Sequence, residues 1–313
     1  SGSGKTCYML GMYAEMQLGK RGFTLSAQNT DENIRLSTLW DQLLTPETGD
    51  YWPSPTVEKP HPYTFEFSYG FKPLIEFEWL DYPGNTLSGP STDTDTQDLR
   101  NHLLASSCVF LSISGEYLDQ SVDQAQLMAL ARKAKANFMS RYLVELRKTI
   151  KPTNQNPFPI VILITKYDLC YMRHKELIED IKKIFEPLFM PNSGWLVMIC
   201  PVSLGKDLAS HGHNRKIDPK NLHLPLLFSL YFKFQMDVAA SQKQANEVRQ
   251  ALTTFKKHHW ITRWLKRKEI KTLKDDLQAL QTAIEDSQSK MALLGQELSN
   301  IPLYLSGREI QVD

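Results

Sequence analysis

The first six residues, Ser1-Gly2-Ser3-Gly4-Lys5-Thr6, have the types and spacing that close a phosphate-binding loop, GxxxxGK[ST], whose first glycine would stand before residue 1. Small residues there let successive backbone N–H groups turn inward around phosphate oxygens, and a following helix adds the positive end of its dipole. In such a loop the lysine, Lys5, holds the β- and γ-phosphates and the Thr6 hydroxyl holds Mg²⁺. Cys7 to Leu18 is an apolar, helix-like run of the kind the loop requires, weakened only by Gly11. Ser1, Gly2, Ser3, Gly4, Lys5, Thr6 and Cys7 are therefore the candidate phosphate contacts. The bland alternative is a glycine-serine linker that precedes Lys-Thr, and the helix-like flank argues against it. A buried strand should lead into the loop; none precedes it in this chain, and the expectation is that a central strand is missing.

Two further polar clusters follow apolar runs. Asp81-Tyr82-Pro83-Gly84 matches DxxG after Leu74 to Leu80, and Thr165-Lys166-Tyr167-Asp168 matches [NT]KxD after Ile160 to Ile164. The C-terminal ends of strands are where an open α/β sheet presents its ligand-binding groups. For the second cluster the alternative is a surface Lys and Asp that merely end a strand.

The elements that must carry these residues are legible from periodicity. Phe23 to Ala27 reads as a short strand, and Asp31 caps an amphipathic helix through Leu44. A Pro- and Gly-rich loop from Thr45 to Pro62 is long enough to expect a functional role. Tyr63 to Tyr69 and Leu74 to Leu80 alternate about a Gly70 turn, the pattern of an antiparallel hairpin. Beyond them come a buried strand at Cys108 to Ser114 and a long helical stretch from about Asp119 to Ile150. A buried strand at Ile160 to Ile164, a helix around Lys175 to Phe189 and a strand at Trp195 to Cys200 follow. Strands alternating with helices predict a mostly parallel α/β sheet.

Composition sets outer bounds. The chain has 313 residues, 42% of them hydrophobic, enough for a sizeable core, and a net charge of +1. Nucleic acid is not indicated by that charge, and no apolar run is long enough to span a membrane. Cys7, Cys108, Cys170 and Cys200 lack paired spacing and read as reduced thiols, which gives a cytoplasmic expectation.

In this order and spacing the motifs resemble the P-loop GTPase superfamily, the class of Ras-like and translation-factor GTPases, over roughly residues 1 to 236. The extra strand and helix after the phosphate loop, with Trp52-Pro53-Ser54-Pro55-Thr56, look like the bacterial double-GTPase group. The resemblance implies a three-layer fold, a mostly parallel sheet with one antiparallel edge strand, and GTP or GDP with Mg²⁺ as ligands. It places Asp168 where a carboxylate accepts from guanine N1–H and the exocyclic amine. Adenine offers neither donor there, and sites built this way discriminate on the order of 10⁴-fold. Thr165 replaces the more usual Asn, and Lys166 lies along the base. Asp81 approaches Mg²⁺ through water, and the Gly84 N–H senses the γ-phosphate. Asn85 stands where a water-orienting Gln is common, which implies slow unaided hydrolysis. Thr56 is the best candidate for the switch threonine that coordinates Mg²⁺, with an ordinary loop threonine as the alternative. Ser203 and Leu204, in Pro201-Val202-Ser203-Leu204-Gly205, resemble the loose fifth motif that contacts the base. No arginine precedes Thr56 in its loop, so a protein partner or activator is expected to supply catalytic help.

Residues 1-236 thus form the expected GTPase domain and residues 237-313 a helical appendage. Leu224 to Phe234 resembles the family's last core helix. Ile270, Leu273, Leu277, Leu280, Ile284, Met291, Leu294 and Leu298 form a heptad stripe, out of phase with Val238, Ala245, Val248, Leu252 and Phe255. A helical hairpin is preferred, with one unbroken helix or self-association through a coiled coil as rivals. Between the stripes lie Lys256, Lys257, Trp260, Arg263, Trp264, Lys266, Arg267, Lys268 and Lys271, a basic segment suited to a peripheral membrane contact or an acidic partner; a solvated face is the alternative. Ile301 to Leu305 adds a strand or docks on the body. Two other functions remain open: a nucleotide-dependent assembly scaffold with little hydrolysis, and a P-loop ATPase.

Overall fold

A computed structural model describes residues 3–44, 60–82, 93–120, 123–205, 217–257, 266–299 and 301–311. The chain forms two compact units, one reaching Leu226 and taking in Ile301–Gln311, the other starting at Leu227 and holding most of two long helices.

In the first unit, α1 (Lys5–Gln17) is buried on nearly every side, through Tyr8, Met9, Leu10, Met12, Tyr13 and Met16, as its continuous apolar run requires. α2 (Thr30–Leu44) carries Asp31 and Glu32 in its first turn, where they complement the helix dipole. The Tyr13 hydroxyl donates to Asn33 Oδ1 at 2.6 Å and accepts from the Ala27 N–H at 3.2 Å, tying α1 to α2 and to β1 (Phe23–Ala27). β1 pairs antiparallel with β2 (His61–Tyr69), and β2 with β3 (Lys72–Asp81). Tyr69 pairs with Lys72, so Gly70 and Phe71 alone make the turn, both at positive φ (54° and 64°), the backbone a tight hairpin needs. Tyr63, Phe65 and Phe67 are buried, as the alternation predicts.

The second sheet runs β4 (Val109–Ser114), β5 (Phe158–Thr165) and β6 (Trp195–Pro201) in parallel, then β7 (Leu303–Leu305) and β8 (Arg308–Ile310) antiparallel. All eight residues of β5 are buried. α3 (Asp93–Ala105), α4 (Gln124–Lys133), α5 (Ala136–Ile150) and α6 (His174–Ile184) share its core through Leu99, Leu127, Leu143 and Leu177.

The architecture is mixed α/β, and three expectations are corrected. Among the described residues, a single, mostly parallel sheet is replaced by two sheets, with parallel pairing confined to β4, β5 and β6. Short connections force β2 and β3, and again β7 and β8, to pair antiparallel. The expected single antiparallel edge strand is thus joined by others. The long helix around Asp119 to Ile150 is broken: a capping box between Asp123 and Gln126 starts α4, and Lys135, at φ 59°, turns the chain into α5. Within this unit β3 and β4 each end a sheet, and Trp79 of one meets Phe110 of the other edge-on, with ring centres 4.7 Å apart.

In the second unit, α7 (Leu224–Lys257) and α8 (Arg267–Leu298) run antiparallel. Tyr231 lies near Gly295, Lys290 over the Phe234 ring, and Lys266 over Phe255. Gln242, Ala245 and Arg249 face Gln281, Ile284 and Glu285 across a groove of about 390 Å³. The heptad stripe of α8 is therefore turned toward α7. Lys266, Arg267, Lys268 and Lys271 are exposed; Trp260, Arg263 and Trp264 fall outside the described residues. No helix among the described residues is long and apolar enough to cross a membrane.

Candidate functional site

Gly4 sits immediately ahead of α1 at φ 74°, a left-handed backbone that side chains disfavour, and a Cβ there would lie 3.3 Å from Thr165 Cβ. No side chain caps the helix, and its first turn carries no acid, so its leading N–H groups and positive dipole end face the site uncapped. The Thr6 hydroxyl donates to Asp81 Oδ2 at 3.1 Å, joining the first turn of α1 to the end of β3. Lys5 is half-buried beside them. Burial pushes its ammonium below the ordinary lysine value, Asp81 opposes that shift, and Lys135 adds to it.

The base-type motif meets the same loop. The Thr165 hydroxyl donates to the Ser3 carbonyl at 2.7 Å, with the Ile113 carbonyl at 3.3 Å, and Ser112 donates to Ser3 Oγ at 3.0 Å. Thr165 thus bridges the phosphate-type loop to the end of β5 with a side chain shorter than asparagine. Lys166, at φ 52°, starts a 3-10 turn over Tyr167–Leu169, and Tyr167 N–H donates to the Val202 carbonyl at 3.1 Å. Ser203 Oγ donates to Asp168 Oδ1 at 2.5 Å and accepts from the Gly205 N–H at 2.9 Å. Among the described residues, this bond uses one lone-pair direction of the Asp168 carboxylate. Leu204 packs onto α1 at Gly11: a Cβ there would come within 2.3 Å of Leu204 Cδ2. The glycine that weakened the helix pattern makes room for the loop carrying Ser203.

Ser3, Gly4, Lys5, Thr6, Cys7, Asp81, Thr165, Lys166, Asp168, Ser203 and Leu204 are therefore gathered around the start of α1 and the C-terminal ends of β3, β5 and β6. Ser1, Gly2, Thr56, Gly84 and Asn85 lie outside the described residues. Cys7 borders the site with its thiol pushed up to about 11 by burial, which makes it a poor nucleophile. All four cysteines are free thiols. Among the described residues no group of three His, Cys, Asp or Glu side chains gathers to hold a metal. One carboxylate with a hydroxyl, Asp81 with Thr6, suits Mg²⁺, which is commonly held by one or two protein oxygens, water and substrate phosphates.

Sequence reasoning missed the end of β4. Ser114 donates to Glu116 Oε2 at 3.2 Å, and Glu116 Oε1 accepts from Lys166 Nζ at 2.6 Å. Gly115 lies so close to the Lys166 carbonyl that a Cβ would approach it to 2.5 Å. A polar Ser-Gly-Glu ending a buried strand was the available signal. Comparison with protein-family models, curated proteins and solved structures finds no match.

Proposed function

We propose that the protein is a guanine-nucleotide switch that hydrolyses GTP to GDP and phosphate, slowly in the absence of a protein partner. The observation that carries this reading is the convergence, at one end of the first unit, of a phosphate-type site and a base-type site linked by the Thr165–Ser3 hydrogen bond. In the reading, the α1 N-terminus and Lys5 hold the phosphates, and Thr6 with Asp81 holds Mg²⁺. Bound there, Mg²⁺ neutralises charge on the phosphate oxygens. Lys5 stabilises the charge that spreads over the transferring group as water attacks the γ-phosphorus and the bond to the bridging oxygen of GDP breaks. Asp168 accepts from the Watson–Crick edge of guanine and Ser203 fixes its orientation. Asn85, a shorter amide than glutamine, and a switch loop without arginine leave water positioning and charge neutralisation incomplete; a partner supplies the remainder. Thr45 to Pro62 and Tyr82 to Gln97 are the segments that respond to the γ-phosphate.

Equilibrium binding of fluorescent GDP and ATP, with Mg²⁺ and with Asp168→Asn in parallel, tests the assignment. GDP binding that drops at least tenfold in the variant, with ATP ignored, is expected. ATP binding indifferent to the substitution would sink it.

A further inference from the structure

Two opposite charges, Lys166 and Asp168, stand two residues apart in one short turn. Left to themselves they attract, and an ion pair between them would satisfy the carboxylate that a base is meant to meet. The structure gives each a different partner: Lys166 Nζ goes to Glu116 at 2.6 Å, and Asp168 accepts from Ser203.

Resting on the guanine-nucleotide reading above, we propose that Glu116 is a positioning residue for the base site, holding the Lys166 ammonium away from Asp168 so that the carboxylate stays open to guanine.

Glu116 is built for that task from both sides. Ser114 donates to its second oxygen at 3.2 Å, and Gly115 brings the turn after β4 against the Lys166 carbonyl. The strand register fixes the approach, since Ser114 pairs with Thr165, the residue before Lys166. Glu116 belongs to a 3-10 turn, Gly115–Tyr117, closed by the Leu118 N–H donating to the Gly115 carbonyl at 2.9 Å. The hydrogen bond from Lys166 holds the Glu116 carboxyl below the usual carboxylate range, with Ser114 and then Lys133, which lies over the Tyr117 ring at 4.6 Å, adding to the same shift. Both partners are well exposed, 37% for Lys166 and 47% for Glu116. A pair so open to water contributes little to folding. What it does fix is the direction of the Lys166 side chain, on a backbone already held in a left-handed conformation.

The test is a double-mutant cycle on the full chain, with fluorescent GDP and with inosine diphosphate, which lacks the exocyclic amine. Glu116→Gln is expected to weaken GDP about tenfold and to narrow the preference for GDP over inosine diphosphate. Glu116→Asp, which keeps the charge, recovers part of the loss. In a Lys166→Met background, where nothing remains to swing toward Asp168, the Glu116→Gln penalty disappears. Thermal midpoints of the Glu116 variants stay within about 2 °C of the parent, because the pair is exposed. Glu116→Gln binding like the parent, or a penalty that persists beside Lys166→Met, overturns the positioning role. A parent protein that ignores GDP overturns the guanine reading itself, and with it this inference.

Discussion

Lys5 pairs a burial cost with a task. Burial penalises its charged form, so the folded protein without nucleotide binds fewer protons than the unfolded chain between its depressed pKa and the ordinary lysine value of ~10.4. Stability without nucleotide therefore rises with pH across that window. On the proposed guanine-nucleotide reading, a phosphate beside Lys5 reverses the preference by favouring the ammonium, so GDP binding would take up a proton there. Calorimetry in buffers of different ionisation heat is expected to show this uptake growing as pH approaches the lysine range; uptake that stays constant with pH would detach Lys5 from the phosphates. Lys5, Thr6, Asp81 and Asp168 were legible in the sequence as candidates because each belongs to a short local pattern, and the fold brings them to one end of the first unit. Ser112 and Glu116 were harder to read: the polar end of β4 marked where Glu116 stands, but the partners of both lie 109 and 50 residues away and depend on a register that no local pattern carries.

At the scale of elements, two glycines separate close approach that can yield from close approach that cannot. At Gly115 an added Cβ meets the backbone carbonyl of Lys166, which cannot move without displacing the turn over Tyr167–Leu169. Gly115→Ala is expected to cost about 1–3 kcal/mol and, on the guanine-nucleotide reading, to abolish GDP binding. At Gly11 it meets the tips of Leu204, at 2.3 Å, and of Leu222, at 3.2 Å, side-chain ends that can shift where a backbone cannot, and alanine returns up to about 1 kcal/mol of helix propensity. Thermal unfolding should therefore rank Gly115→Ala well below Gly11→Ala; the reverse order would mean that the β4 turn is not clamped to β5. Alternation and burial made the strands legible, and Tyr63, Phe65 and Phe67 face inward as read. The parallel pairing of Ile160 to Ile164 followed from strands alternating with helices; the division into two sheets was not legible, because an apolar run does not name its neighbours. The break at Lys135 carried no Gly or Pro to announce it; it places Leu127 and Leu143 in one core.

Across the whole molecule, the two stripes near the C-terminus were legible as helices, and their antiparallel arrangement answers the phase mismatch between them. The boundary expected at residue 236 falls inside α7, because composition changes there while the helix continues. Beyond α8, Leu303–Leu305 pairs with Leu196–Met198 of β6. The Ser306 hydroxyl accepts from Gly194 N–H at 3.0 Å and donates to Asn154 at 2.7 Å. Topologically the long helices are an insertion, not a tail. A truncation after residue 236 would strip β6 of its neighbour and leave a bare apolar edge, a template for aggregation. Replacing residues 237–300 with a flexible linker, so that 301–313 can return to the sheet, is expected to stay monomeric in sedimentation where the truncated chain associates. Equal behaviour of the two would show that the returning hairpin does not guard the sheet.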